Sequence, residues 1–314
     1  PVYCRSQIRA PKTRIKEWDY YCITDGHIGL ALTIADNGYM GLDSISFLNF
    51  DERFEITKSP MRLLPMGKTH LPESSRLGAS EIAASGYALA FYHEDGARQL
   101  SFHMDNFRGK DTIEGILTLT DEPIESIVIA TPFDKPGHFY YNQKINCLRA
   151  SGWIELGGEK FELTPDRFFA VLDWGRGVWT YHNTWYWSSA SGELDGVPFG
   201  WNLGYGFGDT SAATENALFY NGTLHKLEHI NFEIPIKDGK ADFLAPWRFT
   251  SSDGRFEMQF QPVLDRAACT DLKLLKSDQH QVFGKFSGTA VLDDGSVLSV
   301  RDFFGFAEKV ENKW

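Results

Sequence analysis

Residues 151–163 read SGWIELGGEKFEL. Two short runs, SGWIEL and KFEL, flank the pair Gly157-Gly158. A pair of glycines accepts positive φ at both central positions of a tight turn, the geometry that matches the twist of a two-residue hairpin. Seven further pairs of the same character follow the chain: Asp25-Gly26, Asn37-Gly38, Asp95-Gly96, Asn221-Gly222, Asp238-Gly239, Asp253-Gly254 and Asp294-Gly295. Alternating or β-branched runs lie against most of them, among them HIGLALTIA, SGYALAFYH, ENALFY, TLHKL and SVLSV. The pattern predicts a series of antiparallel hairpins. Helical periodicity is scarce; Thr164-Pro165-Asp166 could open a single helical turn before FFAVLDWG. The fold class is therefore all-β, a sandwich or a barrel. A boundary near residue 160 divides the chain into an N-terminal β unit (1–160) and a C-terminal β unit (161–314), each of ordinary domain size.

The 314 residues carry a net charge of −11, with 42% hydrophobic and 23% charged side chains, a globular composition. No Lys/Arg-rich run occurs, which argues against nucleic acid and against an anionic membrane surface as partners. No apolar run approaches the ~20 residues of a membrane span. The basic opening stretch lacks a signal-type apolar core, so a cytoplasmic protein is expected. Residues 57–78, TKSPMRLLPMGKTHLPESSRLG, read as a long surface loop or lid. Cys4, Cys22, Cys147 and Cys269 are far apart and form no C-x-x-C pair, so they read as reduced and structural.

Chemistry concentrates between residues 168 and 187. Eight aromatic residues fall there (Phe168, Phe169, Trp174, Trp179, Tyr181, Trp185, Tyr186, Trp187), where the overall 14% content predicts about three. Asp173, Arg176 and His182 are threaded among them. On a strand, Trp185 and Trp187 share a face with Ser189 and Ser191. The next strand, GWNLGYGFG, places Trp201, Leu203, Tyr205 and Phe207 on one face and Gly200, Asn202, Gly204, Gly206 and Gly208 on the other. A glycine face weakens a strand and admits a bulky neighbour, either a ligand or the adjacent tryptophans. Glu215 and Asn216 open the strand after that. The expected site is an aromatic concavity in which Asp173, Glu215, Tyr181 and His182 supply catalytic groups. Arg176, Trp179, Trp185, Trp187, Asn202 and Asn216 would bind the ligand. The bland alternative is that the rings are core and that Asp173 and Arg176 form a structural ion pair.

HKLEH, residues 225–229, matches a zinc-ligand pattern that requires a helix. Here it follows a turn and runs into INFEIPI, which alternates as a strand, placing the two histidines roughly 13 Å apart. No metal site is expected, and no phosphate loop, nucleophile elbow or dinucleotide fingerprint occurs, so no cofactor is expected.

Four blocks add a resemblance: KEWDYYCITDGHIGLALTIADNGYMG (16–41), DWGRGVWTYHNTWYWSSASG (173–192), NLGYGFGD with TENALFYNGTLHKL (202–227) and GFAEKVENKW (305–314). They resemble the uncharacterised bacterial family called domain of unknown function 2804. More distantly the chain is similar to lipocalin-like proteins of the carotenoid 1,2-hydratase and AttH type. That similarity implies two lipocalin-like β units, and relatives that bind or transform hydrophobic small molecules by metal-independent acid–base chemistry. It implies no residue roles. Three functions stay open. One is a hydratase, isomerase or cyclase acting on an apolar or aromatic small molecule. A second is a carbohydrate-active enzyme using Asp173 and Glu215, whose carboxyl separation would discriminate between mechanisms. The third is a non-catalytic lipocalin-like carrier. Oligomeric state is not legible in the chain.

Overall fold

A computed structural model describes residues 3–94, 96–271 and 276–313. Strands β1 (Ile15–Thr24), β2 (Ile28–Asp36), β3 (Met40–Asn49), β4 (Phe54–Lys58), β5 (Met61–Leu63), β6 (Gly78–Ala84), β7 (Tyr87–Glu94), β8 (Ala97–Arg108), β9 (Asp111–Thr120), β10 (Ile127–Pro132), β11 (Phe139–Leu156), β12 (Glu159–Leu163) and β13 (Phe169–Val178) form one antiparallel sheet. Its main path runs β4-β3-β2-β1-β13-β11-β9-β8-β7-β6. A second sheet of nine strands comprises β14 (His182–Leu194), β15 (Val197–Tyr205), β16 (Ala217–Tyr220), β17 (Thr223–Lys226), β18 (Ile230–Glu233), β21 (Trp247–Ser251), β22 (Phe256–Asp271), β23 (Lys276–Val291) and β24 (Val297–Lys313). Between β18 and β21 lies a separate small hairpin, β19 (Ile236–Lys237) and β20 (Lys240–Ala241). The architecture is all-β and antiparallel, as the turn pairs predict.

The turns behave as their residues require. Gly157-Gly158, Asn221-Gly222 and Asp238-Gly239 all hold positive φ at both positions. Asp195-Gly196, which the sequence reading passes over, does the same between β14 and β15. Asp95 lies outside the described residues. Thr164 to Arg167 forms a turn closed by Phe168 N–H donating to Thr164 O, and the chain then enters β13 as an extended strand.

The change of sheet falls between Val178 and His182. Strand β13, which the sequence reading assigns to the C-terminal unit, pairs with β1 on one side and β11 on the other, at the centre of the first sheet. The first sheet encloses a core of Tyr21, Leu32, Phe47, Leu100, Phe102, Ile145 and Trp174, among others. The interior of the second is filled with rings: Phe199, Trp201, Trp247, Phe249, Phe256, Phe260 and Phe286 are all fully buried. Between the sheets Tyr20, Cys22, Val171 and Phe50 pack against Trp187, Phe283 and Phe306. A bulge in β11 between Ile145 and Leu148 drives Asn146 across this boundary. Its amide donates to Ser189 Oγ and Trp201 O, each at 2.8 Å.

Candidate active site between the two sheets

Alternation along three strands of the first sheet decides what meets the second. On β1 the even positions Trp18, Tyr20 and Cys22 face outward, while Glu17, Asp19 and Tyr21 face inward. On β11 Tyr140, Asn142 and Lys144 face outward, and on β13 Asp173 does the same. Across the boundary, β14 offers Trp185 and Trp187, β15 its glycine-bearing face, and β24 Glu308.

These side chains converge. Lys144 Nζ lies 2.8 Å from Asp173 Oδ1, both buried, and 4.2 Å from the centroid of the Trp187 ring, a cation over a π face. Trp18 Nε1 donates to Asp173 Oδ2 at 3.1 Å. Asn142 Nδ2 donates to Glu215 Oε2 at 3.3 Å, and Asn142 Oδ1 is buried and accepts nothing from the described residues. Trp187 Nε1 donates to Asn202 Oδ1 at 2.8 Å, and Asn202 Nδ2 donates to the backbone oxygen of Glu215 at 2.9 Å. Glu308, on the far side, accepts from Trp185 Nε1 at 2.7 Å and from Gln279 and Gln281. Gln281 also bonds the Tyr20 hydroxyl.

Burial sets the protonation chemistry. It raises the Glu215 carboxyl above its ordinary range; Lys144 opposes this, while the Asp173 charge reinforces it. Glu308 is raised for the same first reason, with the Trp185 hydrogen bond and Arg266 opposing. The Tyr140 hydroxyl is pushed far above the usual phenol range by burial, with Asp173 adding to it. As a residue Glu215 is half-buried, and its carboxyl lies against the backbone of Gly204. A Cβ at Gly204 would stand 2.3 Å from Glu215 Oε1, so the glycine is what seats the acid.

An aromatic cluster stands over this polar group. Phe207 is its centre, edge-on to Phe133, Tyr140, Trp179 and Trp185 with centroids 4.9–5.2 Å apart. Trp18 stacks on Tyr140 at 5.6 Å and meets Trp179 edge-on. Positive φ at Gly206 and Gly208 turns Phe207 out of the β15 alternation, so it leaves the face of Trp201 and Leu203 and joins this cluster. The rings occupy the space between themselves. A separate cavity between the sheets, lined by Cys22, Val171, Ser189 and Phe306 among others and by none of these rings, measures about 20 Å³, room for a single water.

Of the residues singled out in the sequence, the structure brings together Asp173, Glu215, Asn202, Trp179, Trp185 and Trp187. Asn216 stands beside them as a backbone clamp, accepting from Gly204 N–H and donating to Glu228 O. Arg176 does not join. It follows Asp173 by three positions and so points into the first sheet. There it pairs with Asp19 at 3.0 Å, caps Pro72 O and lies over Trp174. The expected Asp173–Arg176 pair is replaced by Asp173–Lys144. Tyr181 and His182 are exposed at the entry to β14, where His182 registers with Lys313. His225 lies on β17 and its Nδ1 accepts from Asp293 N–H, while His229 falls after that strand. Among the described residues no group of three or more His, Cys, Asp or Glu is arranged to hold a metal. The sequence reading missed Trp18, Tyr140, Asn142, Lys144 and Glu308. The one available signal was the spacing of Tyr140, Asn142 and Lys144, which puts all three on one face of a strand.

The family described as "Domain of unknown function (DUF2804)" matches residues 1–314. The chain belongs to that family. No curated protein sequence matches it. Among solved structures, this DUF2804 chain is similar to a putative AttH from Nitrosomonas europaea (12% identity, TM-score 0.59, covering 94% of this chain and 92% of that one). It is similar also to kievitone hydratase from Nectria haematococca (12% identity, TM-score 0.53, covering 100% and 93%). A third similar structure is CghA with Sch210972 (10% identity, TM-score 0.51, covering 95% and 88%). At such identities the likeness is one of fold, and it places this DUF2804 chain in a lipocalin-like architecture. No helix among the described residues is long and apolar enough to cross a membrane.

Proposed function

We propose that this DUF2804 protein binds a small apolar or aromatic molecule between its two sheets and carries out metal-independent proton chemistry on it, of the hydratase type. The observation that carries the reading is a protonatable carboxyl, Glu215, held beside a fixed ion pair, Lys144–Asp173, beneath a cluster of aromatic rings. A carboxylic acid whose affinity for its proton is raised by burial is a general acid suited to near-neutral pH. Glu215 delivers its proton to one carbon of a polarised double bond. A water adds its oxygen to the other carbon, and the proton that the water sheds returns to the Glu215 carboxylate. The faces of Trp179 and Trp185 stabilise the positive charge that develops between those events. The Trp187 face already holds Lys144 and serves the ion pair. One fold neighbour bears the name of a hydratase, which agrees with this class of reaction.

The ligand takes the place now held by Phe207, the ring set between two left-handed glycines that give its backbone freedom to turn. The polar groups under the rings weigh against a pure carrier. Asp173, engaged by Lys144 and Trp18, has little freedom to act as a glycosidic nucleophile. The test begins with native mass spectrometry of the wild-type protein and of Phe207→Ala, which should retain a small molecule more readily. Turnover of the identified compound in ¹⁸O-labelled water should add one water and incorporate the label. Glu215→Gln should cut the rate by roughly 10²–10⁴ while leaving ligand retention intact. Unchanged turnover in Glu215→Gln would remove the reading.

A further inference from the structure

The sequence disperses its cations, but two stretches are distinctive in an acidic chain. Residues 1–16 and 56–72 together contain eight Lys and Arg and no Asp or Glu, leaving 23 Lys and Arg against 42 Asp and Glu elsewhere. The fold binds both stretches to one turn. A Cβ at Gly38 would stand 2.6 Å from the backbone oxygens of Lys12 and Thr13, and the amides of Leu64 and Met66 donate to Tyr39 O and Gly38 O. Four of the eight basic side chains are engaged within the protein: Arg5 with Glu17, Arg14 with Trp179 O, Lys16 with Asn37 O and Arg62 with Asp43. Arg9, Lys12, Lys58 and Lys68 are exposed.

The same surface presents apolar side chains. Met61, Leu63 and Leu64 are 67%, 86% and 54% exposed, among the largest apolar exposures in the protein. On β5 the alternation sends Arg62 inward to Asp43 and turns Met61 and Leu63 outward. The loop that follows is held in an unfavourable backbone. Leu64, Met66 and His70, none of them glycine, have φ of 52°, 48° and 53°. Such strain persists only where surrounding contacts impose it. Here the contacts are Gly67 N–H and Thr69 Oγ1 donating to Asp36. Arg14, in the first stretch, donates to Trp179 O, so the surface adjoins the aromatic cluster over the site.

We infer that this end of the molecule docks on an anionic lipid surface, against the expectation set by the lack of a Lys/Arg-rich run, because the fold joins two cation-bearing stretches that the sequence keeps apart. Leu63, Leu64 and Met61 enter the headgroup boundary, and Lys12, Lys68 and Arg9 meet the lipid phosphates. Exposed cations and exposed leucines on two stretches that meet at the Gly38 turn of an otherwise acidic protein complement a negatively charged bilayer and orient the rest of the chain away from it. The docked face brings the aromatic cluster beside the membrane, from which an apolar molecule could partition. The docking itself does not depend on the proton chemistry proposed above.

Vesicle flotation with the 314-residue chain tests it, using phosphatidylcholine alone and phosphatidylcholine mixed with phosphatidylglycerol, at low and high salt. Binding is expected only to the anionic vesicles and should weaken with salt as the charges are screened. Lys12→Glu/Lys68→Glu should lower partitioning roughly tenfold or more. Leu63→Ser/Leu64→Ser should do likewise, with circular dichroism and Tm unchanged in both. Equal binding to neutral and anionic vesicles, no binding to either, or variants that partition like wild type would overturn it. So would sedimentation showing that the leucines instead hold two copies of the chain together.

Discussion

Lys144 is buried between the sheets with Asp173 on one side and the Trp187 ring on the other. Removing one member of a buried pair leaves the other charge without compensation, which typically costs about 3–5 kcal/mol. Lys144→Met should therefore destabilise the protein by about that amount in denaturant titration, and the double variant Lys144→Met/Asp173→Asn should recover a large part of it. A double variant as unstable as the single one would show that the lysine acts through packing on Trp187 alone. Asp173 was legible because it interrupts an apolar and aromatic run, and Glu215 because it stands with Asn216 at the mouth of the apolar run ALFY. Lys144 was not, because YYNQKIN carries no motif, and its partners are brought by strands distant in the chain. Arg176 misled for the complementary reason: proximity in sequence suggested a pair, and a three-residue offset on a strand forbids one.

At the scale of the strand, β13 shows how close the sheets' side chains come to the backbone. A Cβ at Gly175 would fall 1.9 Å from Trp18 Cζ2, so the indole lies directly on the glycine. Gly175→Ala should displace Trp18, loosen its bond to Asp173 and cost about 1–3 kcal/mol, read as a lower urea midpoint. Adding Trp18→Ala should abolish most of that extra cost, since the clash goes with the ring. The hairpins themselves were readable from Asn-Gly, Asp-Gly and Gly-Gly pairs, since those residues answer a local backbone requirement. The glycine face of β15 was readable as a place of close approach, and its occupants proved to be the Glu215 carboxyl at Gly204 and Ala190 O at Gly200. Sheet membership was not readable. Nothing local to residues 169–178 says that they bond to β1, some 150 residues earlier.

For the molecule as a whole, buried titratable groups shape stability against pH. Glu215 and Glu308 have folded-state affinities for protons raised above the ordinary 4.5. Their contribution is fully present below pH 4.5 and is lost as pH rises through the raised values. Lys16, buried near Arg14, is lowered from 10.5 to about 7. Its neutral form is the favoured one in the fold, so its contribution is fully present above 10.5 and is lost as pH falls towards 7. Thermal unfolding of Glu308→Gln across pH 4–8 should show a shallower decline than wild type, and Lys16→Met should flatten the limb between pH 7 and 10.5. Curves superimposable on wild type would refute the assignment. The two-unit division is also testable. A fragment ending at residue 160 lacks β13 and should fail to unfold cooperatively, whereas one ending at residue 180 should regain a cooperative transition.

The central place of β13 has a consequence for biosynthesis. The ribosome releases β1 to β12 before the strand that joins β1 to β11 exists, so both of those edges wait with unpaired amides and carbonyls. A nascent chain in that state is open to mispairing with its neighbours. The first sheet can close only when residue 178 has cleared the exit tunnel.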